Sequence, residues 1–221
     1  MKEGRPAGRK VVDQAANEAE ELIDAFGLDV ATFHEAKRYA GTIARRARAA
    51  GLKVVRYDVD DPARDSLIVA RKGLRAWGRR LHKLERKGWE RRPGRPGLHH
   101  PRSAVSAVVG GVRIVAVHMP PTPGLKAYPR RDAAWDNSLA TLARLGRRWN
   151  RWGRPWVMTG DWNRAASSPE VREFVRRLGA KVYSNGGIDY VIARGVGIKD
   201  LRREDFGGSD HAPVLFNIVK E

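Results

Sequence analysis

The sequence contains no cysteine among its 221 residues, which excludes disulfides, thiolate metal sites, iron–sulfur clusters and cysteine nucleophiles. It also lacks any apolar run of about 18 residues, so we expect neither a membrane-spanning helix nor a membrane partner. The first 30 residues carry no apolar segment of the kind found in signal peptides, and we expect a cytoplasmic protein. Hydrophobic residues make up 42% of the chain, a fraction typical of a globular domain.

Acidic residues are scarce relative to basic ones: 25 Asp and Glu stand against 43 Lys and Arg, a net charge of +18. The range 71–102 holds twelve basic and two acidic residues, which is +10 of that charge. We call this range the basic window and interpret it as an insertion in the domain, predicted as a loop or short helix leading into a turn. Such charge favours nucleic acid as partner. The candidate phosphate contacts in the window are Arg71, Arg79, Arg80, Arg91, Arg92 and Arg102.

A second basic run covers residues 144–154, where five arginines are interleaved with Trp149 and Trp152 and no acid is present. Arginine with tryptophan suits phosphate contact combined with base stacking. However, Leu142, Leu145 and Trp149 recur at helical spacing, which favours a helix face packed into the core. For this run the packing interpretation is the stronger one.

Strands and helices alternate along the chain, which predicts one α/β domain over residues 1–221. The clearest element is a hairpin, in which residues 103–109 and 112–117 are joined by Gly110 and Gly111. We predict helices over residues 12–26, 36–50 and 132–152 and from 169 onward. Further strands are predicted over residues 29–33, 53–57, 66–70, 156–159, 188–193 and 212–219.

The residues suited to chemistry share one position, because each lies at or just beyond the end of an apolar strand. They are Glu35, His118, Asp161, Asn163, Asp189, Asp210 and His211. Ligands and catalytic groups collect at strand ends in open α/β sheets. Carboxylates with an asparagine and two histidines, and no cysteine, suit a hard cation such as Mg²⁺ or Mn²⁺.

Three segments resemble, in order and spacing, the C-terminal motifs of the endonuclease/exonuclease/phosphatase superfamily. They are Gly-Asp-Trp-Asn at 160–163, Ile-Asp-Tyr-Val at 188–191 and Ser-Asp-His-Ala-Pro-Val at 209–214. Residues 29–35 resemble the family's strand ending in Gln-Glu, with His34 in place of the Gln, and residues 112–118 resemble its central strand ending in His. The resemblance covers about residues 22–221. It implies a four-layer α/β sandwich of two packed mixed β-sheets flanked by helices.

The resemblance also implies a role for each matching residue. Asp161 would orient or deprotonate the attacking water, and Asn163 would hydrogen-bond the phosphate. His211 would contact the scissile phosphate with its tautomer fixed by Asp189, and His118 would contact the phosphate from the other side. A carboxylate partner is what an imidazole needs for this work.

The same resemblance implies a metal cofactor, Mg²⁺ or Mn²⁺, with Glu35 as its principal ligand and Asp210 as a further one. The family's first strand, which carries a Trp-Asn pair that helps to fix the metal, is expected to be missing. Residues 1–12 contain no asparagine and no apolar strand. Three explanations stay open: a gene start placed too far downstream, a fold without this strand, or a damaged enzyme. The Gly-, Arg- and Pro-rich opening favours the first.

The sequence therefore predicts a monomeric, metal-dependent hydrolase of phosphoester bonds, a nuclease acting on DNA rather than RNA. The expected activity is that of a DNA endonuclease working by attack of an activated water on the phosphodiester. One alternative is a phosphatase or phosphodiesterase acting on a lipid or small phosphoester. The other is a catalytically impaired, nucleic-acid-binding relative, which the missing asparagine motivates.

Overall fold

The computed structural model describes residues 28–33, 40–55, 66–84, 102–121, 129–203 and 214–220. Within these ranges the helices are α1 (Ala40–Ala49), α2 (Pro129–Arg151) and α3 (Pro169–Leu178). None of the described helices is long and apolar enough to cross a membrane. The strands are β1 (Val30–Phe33), β2 (Lys53–Val55), β3 (Leu67–Ala70), β4 (Ala76–Lys83), β5 (Ser103–Val109), β6 (Val112–His118), β7 (Trp156–Asp161), β8 (Lys181–Tyr183), β9 (Asp189–Arg194), β10 (Gly197–Arg203) and β11 (Val214–Val219).

A six-stranded mixed sheet forms the centre of the fold, with strand order β4-β5-β6-β7-β9-β8. Strands β6 and β7 are parallel, and their neighbours pair antiparallel. All seven residues of β5 are buried, as are the last six of β6. Strands that are buried on both faces have nearly continuous apolar sequences, and β5 and β6 show this pattern.

Helices and further sheets cover the two faces of the central sheet. Helices α2 and α3 pack on one face, with Trp135, Leu142 and Phe174 in the shared core. The other face packs against a three-stranded antiparallel sheet (β1-β3-β2) and a two-stranded antiparallel sheet (β10-β11). Helix α1 covers the outside of the three-stranded sheet through Ile43 and Ala47. The order helix, sheet, sheet, helix confirms the predicted α/β sandwich.

The basic window differs from its predicted secondary structure. Its described residues, 71–84 and 102, include β4, an edge strand paired with β5, where a loop or short helix was expected. Arginines at 79 and 80 are exposed on this strand, and charged side chains are common on edge strands because they discourage further pairing. A β-bulge between Trp77 and Arg80 interrupts the alternation that would have indicated a strand. The predicted helix over 12–26, the missing first strand and residues 85–101 lie outside the described residues.

Candidate active site

Three of the predicted site residues lie in a row across the central sheet. His118 ends β6, Asp161 ends β7 and Asp189 begins β9, and the strand register pairs His118 with Asp161 and Asp161 with Asp189. Paired residues on neighbouring strands lie about 5 Å apart and point to the same face. Ala116 and Val191, two residues away on their strands, belong to the core between the sheets, so the row faces the second layer of the sandwich.

Asp161 is the centre of this row and is held by two neighbours. Its Oδ2 lies 3.7 Å from His118 Nε2, and both side chains are buried, at 9% and 1% exposed. Its Oδ1 accepts a hydrogen bond from the backbone N–H of Asn163 (2.7 Å), and its Oδ2 accepts one from Asn163 Nδ2 (2.9 Å). Hydrogen bonds to a carboxylate favour its charged form. The site therefore holds a positioned carboxylate beside a buried imidazole.

Asn163 adopts a conformation that few side chains tolerate. Its φ is +53°, in the left-handed region where asparagine is among the permitted residues. The turn is closed by the Asp161 hydrogen bonds and by a third bond, from Asn163 Nδ2 to the Met119 carbonyl (3.0 Å). Both amide hydrogens are committed in this arrangement, so a phosphate would have to replace one of these two bonds.

Trp162 anchors the turn from the opposite face of the sheet. It is fully buried, stacks on Tyr190 with ring centroids 5.3 Å apart and planes 8° apart, and packs edge-on against Phe174. Its Nε1 donates to the Tyr190 carbonyl (3.1 Å), and its own carbonyl accepts from Trp135 Nε1 (3.0 Å). The sequence Asp-Trp-Asn thus places the middle residue in the core and leaves its two neighbours at the site.

Two residues beside the site were not predicted from the sequence. Tyr190 is buried, and its hydroxyl has no hydrogen-bond partner among the described residues. Burial raises the pKa of Tyr190, the nearby Arg164 charge lowers it and the Asp161 charge raises it. Arg164 lies over the Trp135 ring (4.1 Å) and pairs with Glu170 (2.9 Å). The sequence could have indicated both residues, because Tyr190 directly follows Asp189 and Arg164 directly follows Asn163.

The predicted phosphate contacts lie in different places. Arg102 precedes β5, which runs antiparallel to β6, so it lies at the same edge of the sheet as His118. Arg79 and Arg80 lie on the edge strand β4. Arg71 follows β3 and pairs with Asp29 (2.6 Å), at the end of the three-stranded sheet opposite Phe33. The structure therefore groups Arg102 with the row and does not bring Arg71 to it.

The metal-binding part of the prediction rests on residues that are not described. The two expected metal ligands, Glu35 and Asp210, lie outside the described residues. The same holds for three other predicted site residues: His211, Arg91 and Arg92. In the described part of the chain, no three His, Asp or Glu side chains converge as metal ligands would. Among the described residues, Asp161 offers a carboxylate that can accept a proton, and His118 beside it offers an imidazole that can contact an anion.

No protein-family model and no curated protein matches this chain. Solved structures match its fold over nearly the whole length. An endonuclease/exonuclease/phosphatase from Bacteroides vulgatus is 16% identical, with a TM-score of 0.65, and the match covers 97% of this chain and 95% of that one. A 3'-5' exonuclease from Neisseria meningitidis is 17% identical (TM-score 0.61; 94% and 96%). The catalytic domain of human Nocturnin is 14% identical (TM-score 0.64; 94% and 87%). The chain has the fold of the endonuclease/exonuclease/phosphatase superfamily, as its motifs predicted.

Proposed function

We propose that this protein is a metal-dependent phosphodiesterase that hydrolyses nucleic acid, and that it acts as a DNA endonuclease. The observation that carries the proposal is the row of His118, Asp161 and Asp189 on three adjacent strands, with Asp161 clamped by Asn163. Hydrolysis of a phosphodiester needs a positioned water on one side of the phosphorus and charge stabilisation on the other. The buried Asp161 carboxylate suits the positioning of the water, and the buried His118 imidazole beside it suits the stabilisation of charge.

In the proposed reaction, Asp161 orients the water and accepts its proton, while Asn163 keeps the carboxylate in place. His118 contacts the phosphate from the neighbouring strand, and His211, with its tautomer fixed by Asp189, contacts it as well. Glu35 and Asp210 would hold Mg²⁺ or Mn²⁺, which when bound neutralises phosphate charge and stabilises the departing oxygen.

The choice of nucleic acid as substrate is supported by charge and by similar folds. The net charge of +18 suits a long polyanion better than a small phosphate ester, and Arg102 lies at the edge of the sheet that holds the row. Among the structures of this fold, the Neisseria protein is described as a 3'-5' exonuclease and an Archaeoglobus fulgidus protein as an AP endonuclease. A Bacteroides thetaiotaomicron protein of the same fold is described as a mannosyl-6-phosphatase, which keeps a small phosphoester as the second candidate.

A plasmid assay tests the proposal. Supercoiled DNA is incubated with the protein and Mg²⁺, Mn²⁺ or EDTA, and we expect nicking with either metal and none with EDTA. Asp161→Asn removes the proton acceptor and should lower the nicking rate about 100-fold or more. The matched control is Asp200→Asn, since Asp200 is an exposed carboxylate on β10 and should leave the rate unchanged.

Each alternative gives a different result in this assay and in a companion one. Intact plasmid, together with release of phosphate or headgroup from a panel of lipids and sugar phosphates, would replace the nuclease by a small-phosphoester hydrolase. Intact plasmid with salt-sensitive DNA binding and no release from the panel would identify a binding protein that has lost catalysis. Equal nicking by Asp161→Asn and the wild type would remove Asp161 from the mechanism.

A further inference from the structure

A second concave site lies on the flank of the central sheet, between the edge strand β4 and the C-terminal half of α2. This cleft has a volume of about 520 Å³, within the range of about 300–1,000 Å³ that is usual for ligand sites. Its charged lining residues are Arg80, Arg113, Arg148 and Arg154, and no acidic residue in the described part of the chain lines it. It combines residues of the basic window with residues of the second basic run.

Arg113 at the floor of the cleft is a buried cation that pairs with no carboxylate of the described ranges. The residue is 7% exposed, its Nη1 donates to Ser106 Oγ and to the Gly78 carbonyl (3.3 Å each), and its Nε has no partner among the described residues. Burial, followed by the charges of Arg154, Arg80 and Arg148, lowers the pKa of Arg113. A buried and unpaired charge is costly, and an anion in the cleft would relieve that cost.

Two exposed tryptophans form the rim of the cleft. Three large apolar side chains are exposed among the described residues, and two of them, Trp77 (45%) and Trp152 (52%), line this site. Arg148 lies 4.6 Å from the Trp152 ring centroid, and Arg154 lies 5.7 Å from that of Trp77. Exposed indoles next to guanidinium groups are the pairing by which proteins stack bases and hold phosphates of single strands.

Local geometry brings these side chains to one face. Trp77 pairs with Val108 and Arg80 with Ser106, so the extra residue of the β4 bulge places Trp77 on the same face of the sheet as Arg80. Gly78, with φ of +63°, forms the bulge. On α2, residues 145, 148 and 149 follow the helical repeat and share one face, and Trp152 lies in the turn just after the helix. Trp149 is buried there, as the packing interpretation predicted, while Trp152 reaches the rim.

We infer that this cleft binds a single-stranded segment of nucleic acid, with phosphates on the four arginines and bases stacked on Trp77 and Trp152. The inference rests on the proposed function, because the segment belongs to the same substrate. On β6 His118 lies five residues after Arg113, about 17 Å along the strand, and the two side chains point to opposite faces of the sheet. A strand bound in the cleft therefore reaches the catalytic row only by passing around the edge of the sheet, which takes more than the about five nucleotides that span 17 Å.

Binding without hydrolysis tests the inference. The affinity of the full chain for a labelled 12-nucleotide oligothymidylate is measured by fluorescence anisotropy in EDTA over a range of salt concentrations. Trp152→Ala should weaken binding about tenfold or more, the loss of one stacked base, and Trp152→Phe should restore most of it. Arg148→Ala should weaken binding and reduce the slope of log affinity against log salt by about 0.7.

Arg48→Ala is the matched control, because Arg48 is an exposed arginine on α1, on the far side of the sandwich. It should bind with nearly wild-type affinity and an unchanged salt slope. If Trp152→Ala and Arg148→Ala bind like Arg48→Ala, the inference is overturned, even if the plasmid is nicked. If the plasmid stays intact but the two cleft variants lose affinity, the cleft is supported and the proposed activity fails. The inference would also be overturned if a duplex bound as tightly as the single strand and Trp152→Ala left the affinity for that duplex unchanged.

Discussion

At the scale of single residues, Asn163 connects backbone geometry to the proposed chemistry. Its side chain bonds Asp161 and the Met119 carbonyl, which joins the ends of β6 and β7. Its φ of +53° is a conformation that glycine adopts without strain. Asn163→Gly therefore removes the side-chain bonds while the backbone N–H can still donate to Asp161.

We expect Asn163→Gly to lower kcat for DNA cleavage about 100-fold, with a smaller change in KM, because Asp161 loses the neighbour that positions it. Thermal unfolding should change little. Asp200→Gly is the matched control, since Asp200 also has φ of +53° but lies exposed on β10. Its kcat should equal that of the wild type. A full kcat in Asn163→Gly would show that the side chain does not support Asp161.

At the scale of secondary-structure elements, Gly146 sets how closely α2 approaches α3. A Cβ at this position would lie 2.9 Å from Leu178 Cδ1 and 3.1 Å from Leu178 Cδ2, with the Trp156 ring at 3.5 Å. We expect Gly146→Val to lower the free energy of unfolding by about 1–3 kcal/mol through overpacking, measured by urea denaturation. Ala140→Val on the exposed side of α2 should cost about 0.5 kcal/mol or less. Equal costs for the two variants would contradict the close contact.

Elements with a strong local pattern were predictable from the sequence. The two arms of the β5–β6 hairpin are nearly continuous apolar runs on either side of Gly110 and Gly111, and Val109 pairs with Val112 as expected. His118, Asp161 and Asp189 were predictable as strand-end residues, because each follows or opens an apolar run that burial requires. The strand register that aligns these three residues was not predictable, since it depends on pairings between residues far apart in the chain.

The cleft shows why the remaining features were not predictable. Trp77 and Trp152 are far apart in the sequence, and nothing in either local pattern indicates that they meet. The bulge at Gly78 breaks the alternation of β4, so the strand was interpreted as a loop or short helix. Trp149 and Trp152 look alike in the sequence, yet Trp149 is buried within α2 and Trp152, which lies just after the helix ends at Arg151, is 52% exposed.

At the scale of the whole molecule, the net charge of +18 makes the folded state sensitive to acid, because each further proton adds to like-charge repulsion. His82 lines the cleft, where the repulsion between like charges acts on it from neighbouring arginines. Its Nε2 lies 2.8 Å from Ser106 Oγ, and its ring packs edge-on against Trp149. Burial, followed by the charges of Arg113, Arg80 and Arg148, lowers the pKa of His82 to about 4. At neutral pH the imidazole is therefore uncharged, and its protonation would place a fifth cation beside the four arginines.

This depressed pKa predicts a window of acid destabilisation. Between about pH 6.5 and about pH 4 the unfolded chain binds a proton at His82 that the folded chain does not, so the free energy of unfolding falls as the pH falls. From pH 7 to pH 4.5 the loss due to His82 should be about 2–3 kcal/mol, and urea denaturation at the two pH values measures it. In His82→Gln the other groups titrate as before, so the difference between the two proteins isolates this histidine. If the wild type and His82→Gln lose the same free energy of unfolding, His82 is not held uncharged in the folded state. A smaller loss in the variant would show that the acid sensitivity comes from His82 in the arginine-lined cleft.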